Sequence, residues 1–124
     1  MGMIIKEYNV IGNRTSDVVR VLYDTGSGAS FVRRDIAEPL GNIDSSPVPV
    51  SFMMASGQET FSVEQVVNLA VDVEGTPLVY MFYVADDLAE ELIIGADMMQ
   101  KFKISLDMDN EAVSIDPRAL YLRA

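Results

Sequence analysis

The chain has 124 residues, of which 19 are acidic and 9 basic, giving a net charge of −10, and it contains no cysteine and no histidine. That length suits one core and a single domain, 1–124, and a composition that is 49% apolar is a folding one rather than a disordered one. The missing residue types exclude disulfide scaffolds, zinc sites built on Cys or His, cysteine nucleophiles and every Ser-His-Asp arrangement, so any catalysis must rest on carboxylates, hydroxyls, Lys or backbone amides.

β-branched and aromatic residues dominate the readable segments, which predicts a mostly-β fold. Ile4 to Val10 and Val18 to Tyr23 read as two strands, with Gly12-Asn13 a turn between them. From Phe31 to Glu38 the pattern predicts one or two helical turns, stopped by Pro39 and Gly41. Pro47 and Pro49 bracket an edge-like entry into Val50–Met54, Ala55 to Gln58 is turn material, and Thr60 to Val63 returns, making a hairpin. Val67, Leu69, Val71 and Val73 alternate with polar or small residues, the mark of a strand with one buried face.

Glu74-Gly75-Thr76-Pro77 turns the chain into Leu78–Val84, whose nearly unbroken apolar run suits a strand covered on both faces. Asp86 to Glu91 reads as a solvated acidic loop or helical turn, Leu92-Ile93-Ile94 as a short buried strand ended by Gly95, and Ala96 to Phe102 as one short helix. Lys103–Asp107 and Ala112–Ile115 form a last hairpin; its turn, 108–111, begins with the acidic spacing of a calcium loop but lacks the Gly and the distal Glu. The residues after Pro117 are an unassigned tail. The eight Met residues, two of the pairs adjacent, are read as core filler.

The one basic pair, Arg33-Arg34, is followed at once by Asp35, so nucleic acid is not an expected partner. No apolar run is long enough to span a bilayer, and residues 1–6 lack the apolar stretch of a secretory signal. Gly2 does not read as a myristoylation site, because Lys6 stands where that signal wants Ser or Thr. A cytoplasmic protein without membrane attachment, metal or cofactor is therefore expected.

The chemistry-bearing segment is Val21-Leu22-Tyr23-Asp24-Thr25-Gly26-Ser27-Gly28-Ala29-Ser30. A carboxylate ends an apolar strand and is followed by residues that permit crowded backbone and local hydrogen bonds, a loop position where function often sits. Taken alone, Asp-Thr-Gly also suits an Asx-type turn in which Asp24 caps its own loop.

In its context, Leu22 to Ser27 with Ser30 beyond resembles the active-site loop of retropepsin-type aspartic peptidases, closer to the cellular and bacterial members than to the viral ones. Their second signature, an apolar pair running into Gly and a short helix, appears as Leu92-Ile93-Ile94-Gly95-Ala96-Asp97-Met98-Met99, and Phe52 to Phe61 occupies the place of the flap hairpin. The resemblance covers residues 4 to 116 and implies a small closed all-β barrel of the acid-protease type, with a flap hairpin and one short helix in the C-terminal half. It implies an aspartic endopeptidase in which a water between two carboxylates attacks the peptide bond. One Asp-Thr-Gly supplies one carboxylate, so the second must come from a homodimer partner, Asp24 facing Asp24, and a monomer should be inactive.

By the same resemblance Asp24 is catalytic and Thr25, Gly26, Ser27 and Ser30 support its loop. Met53, Met54, Ala55, Ser56 and Gly57 form the flap over an extended, apolar polypeptide substrate. Ile93, Ile94 and Gly95 brace the loop from behind. Viral members carry an inter-subunit ion pair where this chain has Ala29 and Ala96, which implies a differently built interface, with the 103–116 hairpin as its candidate. Two alternatives stand beside this: a catalytically silent peptide-binding or assembly module with the same fold, and an acidic β-barrel unrelated to peptidases.

Overall fold

A computed structural model describes residues 3–53, 57–116 and Arg118. Its first two strands, β1 (Met3–Ile11) and β2 (Ser16–Asp24), pair antiparallel across the turn expected at Gly12-Asn13. Alternation decides which face of β1 is buried: Ile4, Tyr8 and Val10 turn inward, while Ile5, Glu7, Asn9 and Ile11 are exposed. Three further strands enclose the same interior: β5 (Thr60–Val73), β6 (Thr76–Ala85) and the short β7 (Leu92–Ile94).

With β3 (Phe31–Arg33) these strands run β1-β2-β7-β3-β6-β5, and Val10↔Val71 with Ile11↔Ala70 joins β5 back to β1. The result is a closed six-strand barrel, which leaves no free edge around its girth. A seventh strand, β4 (Ile43–Met53), pairs only with β5, and the two project as a hairpin. Its register slips between Ser45 and Val50, where Pro47 and Pro49 lack the donors a regular ladder needs. A helix, α2 (Ala96–Lys101), follows β7, and β8 (Ile104–Asp107) and β9 (Ala112–Ile115) form a separate two-stranded sheet packed against it. In the 108–111 turn Asp107 accepts hydrogen bonds from the Asn110 backbone and side-chain amides at 3.3 and 2.8 Å, so the acidic spacing serves a turn.

Five expectations need correction. Phe31–Arg33 is a strand, not helix: it pairs with β6 and β7, distant partners in sequence that outweigh local preference. The helix α1 begins at Arg34 and runs through Pro39 to Leu40. Pro39 sits one residue from the end, so the helix forgoes a single internal bond there, and Gly41 closes it by donating to the Ala37 carbonyl at 3.1 Å. The expected return strand and the long strand after it are one continuous element, β5.

The outer face of strand β6 is open over its first half and covered only near its end: Leu78, Phe82 and Val84 are buried on the inner face, Val79 and Met81 are exposed on the outer one, and Tyr83 beyond them is half-buried against Phe31 and Phe52. The methionines are not general core filler. Met98 and Met99 are buried, but Met3, Met53, Met81 and Met108 lie on the surface. Among the described residues no helix is long and apolar enough to cross a membrane.

Candidate active site

Asp24 is the last residue of β2, half-buried at the mouth of the barrel. It gets there because β2 runs parallel to β7, with Leu22 opposite Ile93 and Tyr23 opposite Ile94, so the ends of both strands meet at one place. The chain then turns tightly: the Gly26 N–H donates to Asp24 Oδ1 at 2.9 Å and the Ser27 N–H to the Asp24 carbonyl at 3.1 Å. Thr25 and Gly26 are exposed beside the carboxylate. This is the geometry of a half-buried carboxylate presented on an exposed turn, with one oxygen held by a backbone donor.

Behind the loop the polar groups are fully used. Ser27 Oγ donates to the Ala29 carbonyl at 2.7 Å, and the Ala96 N–H donates to the Ser27 carbonyl at 2.7 Å. Ser30 is wholly buried; its hydroxyl donates to Asp97 Oδ1 at 2.7 Å and accepts from the Gly95 N–H at 2.9 Å. The other Asp97 oxygen accepts the Tyr80 hydroxyl at 2.9 Å. Burial, with that bond to Asp97, raises the Tyr80 phenol to about 12. Gly95 is pressed so close to the loop that a Cβ there would lie 2.2 Å from the Ala29 carbonyl oxygen. Ile94 is buried in the core and Ile93 half-buried beside it.

A second, smaller apolar cluster lies between the loop and the β4–β5 hairpin. Phe52 and Phe61 are a cross-strand pair in the hairpin, and Phe31 and Tyr83 a pair in the barrel wall. Phe31 lies 5.0 Å from Phe52, 5.8 Å from Phe61 and 5.9 Å from Tyr83, ring centre to ring centre, in edge-on or tilted contacts. Ala29 and Val63 complete the buried part of this cluster. Of the expected hairpin-tip residues, Met53 is exposed and Gly57 adopts φ +74°, a left-handed conformation glycine takes without strain. Met54, Ala55 and Ser56 lie outside the described residues.

The structure thus brings Asp24, Thr25, Gly26, Ser27, Ser30, Ile93, Ile94 and Gly95 together at one end of the barrel. Sequence reasoning missed Asp97, Tyr80 and the aromatic cluster. Asp97 opens a helix, where an acidic residue is ordinarily explained by the helix dipole, so nothing local marks it as a partner of Ser30.

The profile of the Ty3 transposon peptidase family matches residues 6–118. The chain belongs to this retropepsin-like family. No curated protein matches it in sequence. Among solved structures, the retroviral protease-like domain of Ddi1 from Leishmania major superposes with a TM-score of 0.62 at 20% identity, over 94% of this chain and 86% of that one. EIAV protease, complexed with the inhibitor HBY-793, gives a TM-score of 0.58 at 20% identity, over 80% of this chain and 86% of that one. At such identities these two likenesses establish the fold, and in the vocabulary of that fold the β4–β5 hairpin is the flap.

Proposed function

We propose that the chain is one protomer of a homodimeric aspartic endopeptidase in which the two copies of Asp24 face each other and activate a water against an extended polypeptide. The presentation of Asp24 carries this reading. It is a half-buried carboxylate on a braced turn at the mouth of a retropepsin-like barrel, with Gly26 holding one oxygen and exposed Thr25 and Gly26 beside it. Two carboxylates brought within a few ångström cannot both ionise cheaply, so the pair shares one proton. The charged member takes a proton from the water, whose oxygen bonds to the carbonyl carbon, while the protonated member donates to the carbonyl oxygen. Collapse of that intermediate breaks the C–N bond, and the amine departs with a proton.

In this mechanism Thr25 bonds across the two-fold axis and keeps the two loops in register. Gly26 and Ser27 shape the turn, and Ser30, Ile93, Ile94 and Gly95 brace it. The flap closes over the peptide and contacts its backbone. A shallow groove beside the loop, lined by Thr25, Ala96, Met99, Lys103, Leu106 and Met108, supports an interface in which the β8–β9 hairpin of each copy packs alongside the other's loop. Such an interface needs no ion pair at positions 29 and 96.

The test combines sedimentation with cleavage of a denatured, fluorescence-quenched protein substrate. A dimer is expected, with turnover falling by roughly 10³-fold or more in Asp24→Asn, in line with loss of general acid–base catalysis. Wild-type turnover in that variant, or cleavage by a chain that stays monomeric at every concentration, overturns the assignment.

A further inference from the structure

Strands β5 and β6 pair from Val73↔Thr76 as far as Val66↔Tyr83 and then part. Beyond that point β6 leans onto β3, through Val84 and Ala85, while β5 continues alone beside β4. One edge of residues 60–65 is therefore paired with β4, from Thr60 to Val63 and again at Gln65, and the opposite edge has no strand partner among the described residues. In an antiparallel strand alternate residues turn both their N–H and C=O to the same edge, so this edge offers a ladder of open donors and acceptors. At about 3.3 Å per residue it runs for roughly 17 Å, the length of a five- or six-residue extended segment.

The space between the prongs is a cleft of about 550 Å³. Phe61, Val63, Ala85 and Leu88 give it apolar walls, and these four belong to the same cluster as Ala29 of the catalytic loop, so the cleft continues from the active site. Its rim is acidic. Glu59, Glu64, Asp86 and Asp87 all line it and are exposed. The one cation there, Arg34, is already consumed: it ties the prongs near their root by bonding Asp86 on one side and Gln65 on the other. Glu59, Glu64 and Asp87 have no ion pair among the described residues.

We propose that this fork is an accessory site that takes an extended, basic segment of polypeptide as an added strand, outside the cleavage position. The inference rests on the peptidase reading for its biological use, since the segment would be the flank of a substrate held in the active site. An open edge is a general liability for self-association, but two copies of a chain with net charge −10 would bring like-charged rims together. The same carboxylates attract a strand carrying lysine or arginine. Edge pairing supplies main-chain hydrogen bonds, the apolar walls take alternate side chains, and the rim selects the charge of the others.

The experiment uses the full-length Asp24→Asn protein, which separates binding from cleavage, and fluorescence anisotropy of labelled hexapeptides alternating valine with lysine, glutamine or glutamate. The lysine peptide is expected to bind best, by roughly two- to fivefold per basic residue over glutamine at low salt, with the difference collapsing near 1 M salt. N-methylation of alternate amides in the lysine peptide keeps its charge but removes its donors, and should weaken binding roughly tenfold or more. The triple variant Glu59→Gln, Glu64→Gln, Asp87→Asn should lose the preference for lysine over glutamine.

Equal binding of the three peptides, an unaffected N-methylated peptide, or an intact lysine preference in the triple variant each overturns the proposal. Cleavage by the wild-type protein is followed in parallel with the quenched substrate. Peptide binding without any cleavage sinks the peptidase reading and leaves the fork standing, whereas cleavage without charge-selective binding sinks the fork alone.

Discussion

Ser30 and Asp97, 67 residues apart in sequence, meet in a 2.7 Å hydrogen bond that fastens the Asp24 loop to the first turn of α2. The Ser30 hydroxyl gives its proton to Asp97 and uses a lone pair for the Gly95 N–H, so one side chain satisfies two groups from another part of the chain. Ser30→Ala would leave the buried Gly95 N–H without a partner and is expected to cost about 1–3 kcal/mol in denaturant unfolding. Asp97→Asn keeps an acceptor for Ser30 and should cost less than Asp97→Ala, which frees Ser30 and Tyr80 together. Equal stability of the two Asp97 variants would show that the loop does not depend on this bond.

Gly95 tests the same junction sterically. A methyl group there would lie 2.2 Å from the Ala29 carbonyl oxygen and 2.7 Å from that of Ser27, both backbone atoms that cannot rotate away. Gly95→Ala is therefore expected to destabilise by at least about 2 kcal/mol and to shift the loop. Amide chemical shifts at residues 26–30 would report the shift directly. A fully stable Gly95→Ala protein with unchanged shifts would mean that the contact is looser than described.

Phe31 is the buried member of the four-ring cluster that holds the flap against the barrel, touching Phe52, Phe61 and Tyr83. Truncating a buried phenylalanine typically costs about 3–5 kcal/mol, and here the loss falls on contacts between two units rather than within one. Phe31→Leu, a milder change, should lower hydrogen-exchange protection at the base of the hairpin, residues 61–65, more than at Val10, Val21 or Val71 of the barrel. Uniform loss across both would show that hairpin and barrel open together.

Much of this architecture was legible locally. β-branched and aromatic content gave β1 and β2, and period-two alternation gave the second half of β5. The prolines at 47 and 49 marked β4 as an edge, and the Asp24 loop stood out through the resemblance of Leu22 to Ser27, with Ser30, to a retropepsin-type loop, since Asp-Thr-Gly alone also suits an Asx-type turn. What escaped is what distance creates. Phe31–Arg33 becomes a strand only because β6 and β7 flank it. The exposed face of β6 looks apolar in sequence, since Val79 and Met81 carry no sign that water covers them. Asp97 looks like an ordinary helix-opening acid until Ser30 and Tyr80 are brought to it, and the fork between β5 and β6 exists only where two long strands stop pairing.

The interior holds a chain of phenols: Tyr23 donates to the Tyr8 hydroxyl at 3.0 Å, which donates to Glu74 Oε2 at 2.6 Å. Burial pushes both phenols up, Tyr8 further because it gives its proton to a carboxylate. A folded-state pKa above the ordinary 10.0 leaves stability complete below pH 10 and erodes it as pH rises beyond, because the unfolded chain then releases protons that the folded one retains. In an alkaline titration followed by tyrosinate absorbance, Tyr8 and Tyr23 should ionise only as the protein unfolds. Reversible ionisation of either phenol near pH 10 in the folded state would contradict the buried chain. Glu74→Gln, which removes the charge facing Tyr8, should shift the alkaline midpoint.

The proposed Asp24 dyad makes a prediction that a one-chain active site cannot mimic. If each active site needs Asp24 from both copies, then a mixed dimer of wild-type and Asp24→Asn chains has one functional carboxylate and lacks the acid–base pair. Co-refolding the two chains in equal amounts allows random pairing, and about a quarter of the dimers then carry both wild-type residues. Activity per total chain should therefore fall to about a quarter of the all-wild-type value, whereas sites contained within single chains would give about half. Titrating the fraction of variant chain distinguishes the two cases over the whole range, as a parabola against a straight line. A straight line would mean that Asp24 acts alone, and the pairing of the two loops across a two-fold axis would have to be abandoned even if the chain proved to be a dimer.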